Sequence, residues 1–292
     1  MTERPPYGLL LRLAGPMQAW GTRSKYQYRD TARFPTRSGV LGMLAAALGW
    51  PREELRVRPG HQDGTPDRLS ELRSLSMFVR VDRPGVVMTD FHTVGGGNPP
   101  DQTVITAEGK RRGAGKGTLA SWRQYLADAA FTVALCGDVQ EQLARYADAL
   151  QHPRWPPYLG RRSCPPAGPL FLGFTTEPLH HLVHLPLAAP LPGSDEARQR
   201  PVRIEFYSNR KLNVLPVNDG AVDSGDGDHH SGEVADEPDS FVPLERAHSP
   251  RLLYRRSLQL PGTQRVGYGT RQLEALRAYQ QAHLNRPEGG FR

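Results

Sequence analysis

Arginines bracket a stiffened turn in Ala32-Arg33-Phe34-Pro35-Thr36-Arg37-Ser38-Gly39, directly ahead of a segment patterned as a helix. A helix N-terminus carries unpaired N–H groups and the positive end of the helix dipole, so Arg33 and Arg37 beside it make a pocket for phosphate. A structural reading stands beside it: Thr36 or Ser38 simply caps the helix and the arginines are solvated. Upstream, Gly15–Tyr28 mixes Trp20, Tyr26 and Tyr28 with Arg23 and Lys25. Aromatic rings stack on unpaired bases while cations hold phosphates. Trp20 is as suited to a core as to stacking, whereas the two tyrosines lie in polar sequence. The densest basic cluster is Lys110, Arg111, Arg112 and Lys116. It fails the P-loop pattern, because Gly117 follows Lys116 and no apolar strand precedes it. A flexible basic loop against a phosphate backbone is the better account.

Other chemistry finds less support. His180, His181 and His184 lack the glutamate of HExxH, and a metal is not expected there or elsewhere. Cys136 and Cys164 are far apart and form no CxxC pair, which excludes a disulfide framework or cysteine zinc site. No GxSxG elbow occurs. His92 could serve as a base for a metal-independent ribonuclease, with Tyr26 or Tyr28 and Lys110 nearby, if the fold brought them together. No cofactor is implied.

The elements that must position these residues follow from patterning. Gly8–Ala14 is an apolar run suited to a buried strand, ended by Gly15-Pro16. Ser38–Gly49 is patterned as a helix studded with small residues and stopped by Gly49 and Pro51. Leu75–Val81 and Val86–Phe91 are expected strands flanking Arg83-Pro84-Gly85. Ala130–Leu135 is a further strand, Asp138–Leu150 an amphipathic helix capped by Asp138, and Leu170–Phe174 a short strand. Strand, helix, strand, strand, helix, strand is the order of a ferredoxin-like (RRM-like) α+β core. Thr93–Ser121, glycine-rich and basic, is a long excursion from it. After Thr175 the pattern predicts a smaller, mainly β region, 176–292. Its strands fall near Leu182–Leu187, Val202–Tyr207 and Leu252–Leu260, with a last helix over Arg271–Ala282.

Charge sharpens the picture. The net charge is +7, yet Asp219–Ser240 holds eight acidic residues and no lysine or arginine, which leaves +15 on the remainder. A surplus of that size favours a polyanionic partner. Only four residues are lysine, so an arginine-rich composition is a competing explanation. The acidic stretch has few apolar residues and is expected to be a disordered, solvated loop. No run of 18 apolar residues and no basic-then-apolar leader occurs, so a cytoplasmic protein without a membrane span is expected.

Five segments then carry a resemblance: LLLRLAGPMQAWG (9–21), RFPTRSGVLGMLAAALG (33–49), DFHTV (90–94), WRQYLADAAFTVAL (122–135) and PYLGRRSCPPAGPLFLG (157–173). In order and spacing they resemble the CasD family, the handle-binding subunit of type I-E CRISPR Cascade. They cover roughly the first 175 residues, and the likeness is faint beyond. The resemblance implies a ferredoxin-like core of the repeat-associated RNA-binding superfamily with a thumb at about 93–121. It implies a non-catalytic subunit that holds the 5′ handle of the crRNA, caps the CasC backbone, contacts the large subunit CasA and meets target DNA indirectly. Precursor cleavage belongs to a separate subunit, CasE, in such systems. The expected RNA contacts are Gln18, Trp20, Arg23, Lys25, Tyr26, Tyr28, Arg33, Arg37, Ser38, His92, Lys110, Arg111, Arg112, Lys116, Arg161 and Arg162. Arg161 and Arg162 could instead stabilise their proline-stiffened loop. A repeat-RNA endonuclease and a protein-bridging module without RNA contact are the alternatives.

Overall fold

The computed structural model describes residues 5–22, 24–25, 27–57, 67–103, 105–106, 108–113, 117–217, 221–223 and 229–284. The strands are β1 (Tyr7–Ala14), β2 (Met17–Gln18), β3 (Ser24–Lys25), β4 (Tyr28–Arg29), β5 (Ser76–Arg83), β6 (Val86–Val94), β7 (Leu119–Ala127), β8 (Ala130–Gly137), β9 (Phe171–Thr175), β10 (Val202–Ser208), β11 (Val222–Asp223), β12 (His229–Ser240) and β13 (Ala247–Leu260). The helices are α1 (Arg37–Ala47), α2 (Arg68–Arg73), α3 (Gln140–Gln151), α4 (Pro178–His184), α5 (Asp195–Gln199) and α6 (Thr270–His283).

A large sheet runs β11-β13-β10-β5-β8-β1-β9, with β12 also on β13. The strands β1, β5, β8 and β9 pair antiparallel in the order β5-β8-β1-β9, with α1 and α3 between them in sequence. β1 is central, which is why its apolar run shows no alternation. Leu9, Leu11 and Leu13 pack with Val40, Leu44, Leu143 and Tyr146 of α1 and α3, while Leu10 faces Leu182, Phe206 and Leu276. Burying one such leucine contributes roughly 1.5–3 kcal/mol. Small residues let α1 approach closely: a side chain at Gly39 would meet the Trp20 ring, and Gly42 lies against Phe241.

After Thr175, β10 pairs with β5 and extends the same sheet. Leu182–Leu187, expected as a strand, starts in the helix α4, whose last three residues are Leu182–His184. Pro178 occupies its first turn, and Leu179, Leu182 and Val183 are buried at helical spacing. The acidic stretch is also corrected. Residues 229–240 form β12, paired with β13 through an interrupted register, while 218–220 and 224–228 lie outside the described residues. Composition favoured a solvated loop, but Asp236, Glu237 and Asp239 find arginine partners that sequence distance concealed.

The second sheet stands on the first. It runs β2-β7-β4-β3, with β6 on the other side of β7. β6 and β7 form a hairpin of nine paired positions, from Val86↔Ala127 to Val94↔Leu119. The excursion therefore begins at Val86, earlier than the expected Thr93. Gly85 turns the chain at its base with φ +69°, where a side chain would strike the Ala127 carbonyl. Arg83 clamps the same base, its Nη2 donating to Asp128 Oδ1 at 2.6 Å.

Candidate nucleic-acid interface

The register of the hairpin sorts its side chains onto two faces. Phe91, Trp122 and Tyr28 are cross-strand neighbours on β6, β7 and β4. Tyr28 stacks on Trp122 at 5.1 Å between centroids, and Phe91 lies 5.3 Å from Trp122. Tyr28 is 63% and Phe91 57% exposed, so this three-ring ladder faces outward. Nearer the core the same face buries Leu126, with Val87 packed beside it. The ladder is thus the outer, unfilled half of a face whose inner half is core.

The opposite face carries Arg29, Asp90, His92, Ser121 and Arg123. A cleft of about 710 Å³ opens there, lined by Gln27, Arg29, Ser121 and Arg123, with Arg112 from the hairpin tip. Arg123 Nε donates to Ser121 Oγ at 3.1 Å, which aims the guanidinium along the sheet. Asp90 sits 3.4 Å from His92. Three arginines from three segments around one cleft suit a phosphodiester backbone, and adjacent rings suit its bases.

The tip is folded rather than loose among its described residues. Thr106 N–H donates to Lys110 O at 2.8 Å, Thr103 Oγ1 to Arg112 O at 2.9 Å, and Arg111 Nη1 to Thr103 O at 3.1 Å. Lys110 and Arg111 are exposed on it. Lys116, Arg23 and Tyr26 lie outside the described residues, and of Lys25 only the strand pairing with Tyr28 is described. Arg33 and Arg162 are exposed on the surface.

Several expected contacts are internal instead. Trp20 is core, its Nε1 donating to Gln18 Oε1 at 2.9 Å. Gln18 is buried too, and its Nε2 donates to the carbonyls of Leu13 and Ala129. Both are consumed in joining β1 to the base of the second sheet. Ser38 lies inside α1 and buried, and neither it nor Thr36 caps the helix through its side chain. Asp236 Oδ2 accepts the Arg37 N–H at 2.7 Å in their place. Arg37 is wholly buried, with Nε 2.6 Å from Glu237 Oε2. Burial pulls its guanidinium below the ordinary value, and Glu237 opposes that shift. The anion at this helix N-terminus is therefore a carboxylate of the chain itself, and Arg37 is not exposed to a phosphate.

Arg161 is a brace. It donates to the carbonyls of Gln124, Arg29 and Asp30 and stacks 4.6 Å from the Tyr125 ring, tying β4 and β7 together. The loop that carries it passes so close to Ala19 that only glycine fits at 160, where φ is +85°. His92 and Tyr28 lie on opposite faces of one sheet, so the register does not join them into an acid–base pair. Burial drives the Cys136 thiol upward, away from reactivity. His180 and His184 stack at 4.2 Å on α4, but among the described residues no three such side chains could hold a metal.

Sequence reasoning missed Trp122, Phe91, Arg29 and Arg123. Phe91 ends the expected strand Val86–Phe91, whereas Trp122 and Arg123 lie in β7 and Arg29 in β4, strands that the patterning did not predict. What could not be read was the register across a long tip, which decides whose side chains share a face.

Comparisons with known proteins place the chain in a family. A family model described as CRISPR-associated protein (Cas_Cas5) matches residues 8–250. The chain belongs to this family. Among curated relatives, the CRISPR system Cascade subunit CasD of Escherichia coli (strain K12) is 42% identical over 168 residues, covering 56% of this chain and 70% of that protein. A solved structure titled CRISPR RNA-guided surveillance complex superimposes with a TM-score of 0.73 at 37% identity, covering 94% of this chain and 99% of that one. Another, titled Crystal structure of Cas protein, gives 0.53 at 29% identity over 90% and 98%. The resemblance to CasD seen in the sequence is met, and the mixed helix-and-sheet architecture matches these solved Cas structures. Among the described residues no helix is long and apolar enough to cross a membrane.

Proposed function

We propose that this chain is a non-catalytic, cytoplasmic subunit of a Cascade-type surveillance complex and that it grips the 5′ handle of the crRNA on its thumb sheet. The observation that carries this reading is the division of that sheet: an exposed aromatic ladder on one face and an arginine-lined cleft on the other. The cleft takes the phosphates, which makes binding salt-dependent, and the rings take unpaired bases with little regard to sequence. The βαββαβ order and the sheet order β5-β8-β1-β9 support a ferredoxin-like core, from which the thumb projects toward RNA and toward a CasC-type backbone subunit. Contact with a CasA-type large subunit and indirect contact with target DNA follow from the likeness to a Cascade subunit.

The test is co-purification with neighbouring subunits followed by sequencing of the bound RNA. Retention of a repeat-derived 5′ handle, lost on Trp122→Ala with Arg123→Ala, supports the proposal. An assembly that keeps its RNA in that variant makes the thumb incidental. Site-specific cleavage of repeat RNA by the pure protein in EDTA overturns the non-catalytic reading.

A further inference from the structure

Three arginines converge on the N-terminus of α1 from three elements: Arg37 of α1, Arg73 of α2 and Arg251 of β13. The carboxylates that answer them all come from β12. Asp236 accepts from the Arg37 N–H at 2.7 Å and from Arg251 Nε and Nη2 at 2.5 and 3.0 Å. Glu237 lies 2.6 Å from Arg37 and 3.3 Å from Arg73, and Asp239 accepts from Arg73 at 2.9 Å.

The fit is incomplete. Arg37 is fully buried, and while its Nη2 donates to Arg73 O at 2.6 Å, its Nη1 has no hydrogen-bond partner among the described residues. Such an orphaned donor normally costs stability, so it marks a place where another oxygen belongs. The course of β12 points the same way. Its pairing with β13 breaks between Val234 and Glu237 and again between Pro238 and Ser240, so Asp236 and Asp239 fall in the gaps. The strand is set there by the arginines rather than by its ladder. The Arg37 N–H, which now donates to Asp236, the helix dipole and the planar guanidinium forks together suit an oxyanion.

We propose that this pocket is a phosphate-type oxyanion site that β12 fills in cis with Asp236 and Glu237, and that the strand thereby keeps RNA off this face and confines it to the thumb. The pocket itself is independent of the RNA reading, because inorganic phosphate probes it directly. In Asp236→Asn with Glu237→Gln the side-chain shapes remain and two charges vanish. At constant ionic strength, with chloride as reference, the variant should melt lower than the parent, and 10 mM-scale inorganic phosphate should restore it while leaving the parent unmoved. Single-stranded RNA should bind the variant severalfold tighter, with a salt slope steeper by about 0.7 for one added phosphate contact. If the variant does not fold in chloride, refolding yield in phosphate against chloride is the readout. Destabilisation that phosphate repairs no better than chloride overturns the pocket. Phosphate rescue with unchanged RNA affinity makes the ligand a free phosphate and overturns the claim that β12 excludes RNA.

Discussion

The large sheet and the thumb sheet both use arginine, in opposite ways. In the large sheet Arg80 is fully buried, 2.6 Å from Asp82, and donates to the carbonyls of Leu182 and Leu185 at the end of α4. Arg12 likewise donates to Ala167 O and to Gln272 of α6. These guanidiniums are struts that satisfy carbonyls which the helix end or a loop leaves over. In the thumb sheet Arg29, Arg112 and Arg123 line an open cleft, and three rings on the other face have no core to fill. The contrast shows that net charge overstates the cationic surface: part of the arginine surplus is scaffold, and only the remainder can meet a polyanion.

The largest expected effect tests the scaffold. Arg80→Ala strands Asp82 in a buried site and should cost about 3–5 kcal/mol of stability, seen as a lowered urea midpoint. Thumb substitutions should leave that midpoint nearly unchanged. An Arg80→Ala protein as stable as the parent would erase the distinction.

On the other side, Trp122→Ala removes the central ring of the ladder. RNA affinity should fall by about 1–3 kcal/mol, measured by filter binding, with the melting temperature little altered. A large melting shift with unchanged affinity would make the ladder core. Arg123→Ala should weaken all RNA sequences alike and flatten the salt dependence by about 0.7. An unaltered slope would remove Arg123 from the phosphate path.

The smallest effect concerns pH and belongs to the scaffold. Burial, then the charges of His180, His283 and His184, hold His181 down at about 4 from its ordinary 6.5. The unfolded chain takes up that proton first, so stability should fall as pH drops from about 6.5 toward 4, with no further loss from this group below. His181→Phe should flatten that limb in urea titrations at pH 7 and pH 5, whereas RNA-binding substitutions should not.

The amino-acid sequence by itself determined the family and the succession of core elements. β1, α1, β5, β8, α3 and β9 fall close to where the patterning placed them, because hydrophobic period and turn residues are local properties. It also identified a glycine-rich, basic excursion. Tertiary structure decided which of the candidate side chains reach the surface. Trp20, Gln18 and Arg37 match the family motifs and carry suitable chemistry, yet they are buried and paired inside the protein. Trp122, Phe91, Arg29 and Arg123 became the two faces of the thumb only through a register spanning 24 intervening residues between β6 and β7. The acidic strand shows the same limit. Its composition speaks for solvent, but Arg37, 199 positions away from Asp236, and Arg251 supply the charges that fold it inward. A buried ion pair is a property of two distant segments at once, and no local pattern in either contains it.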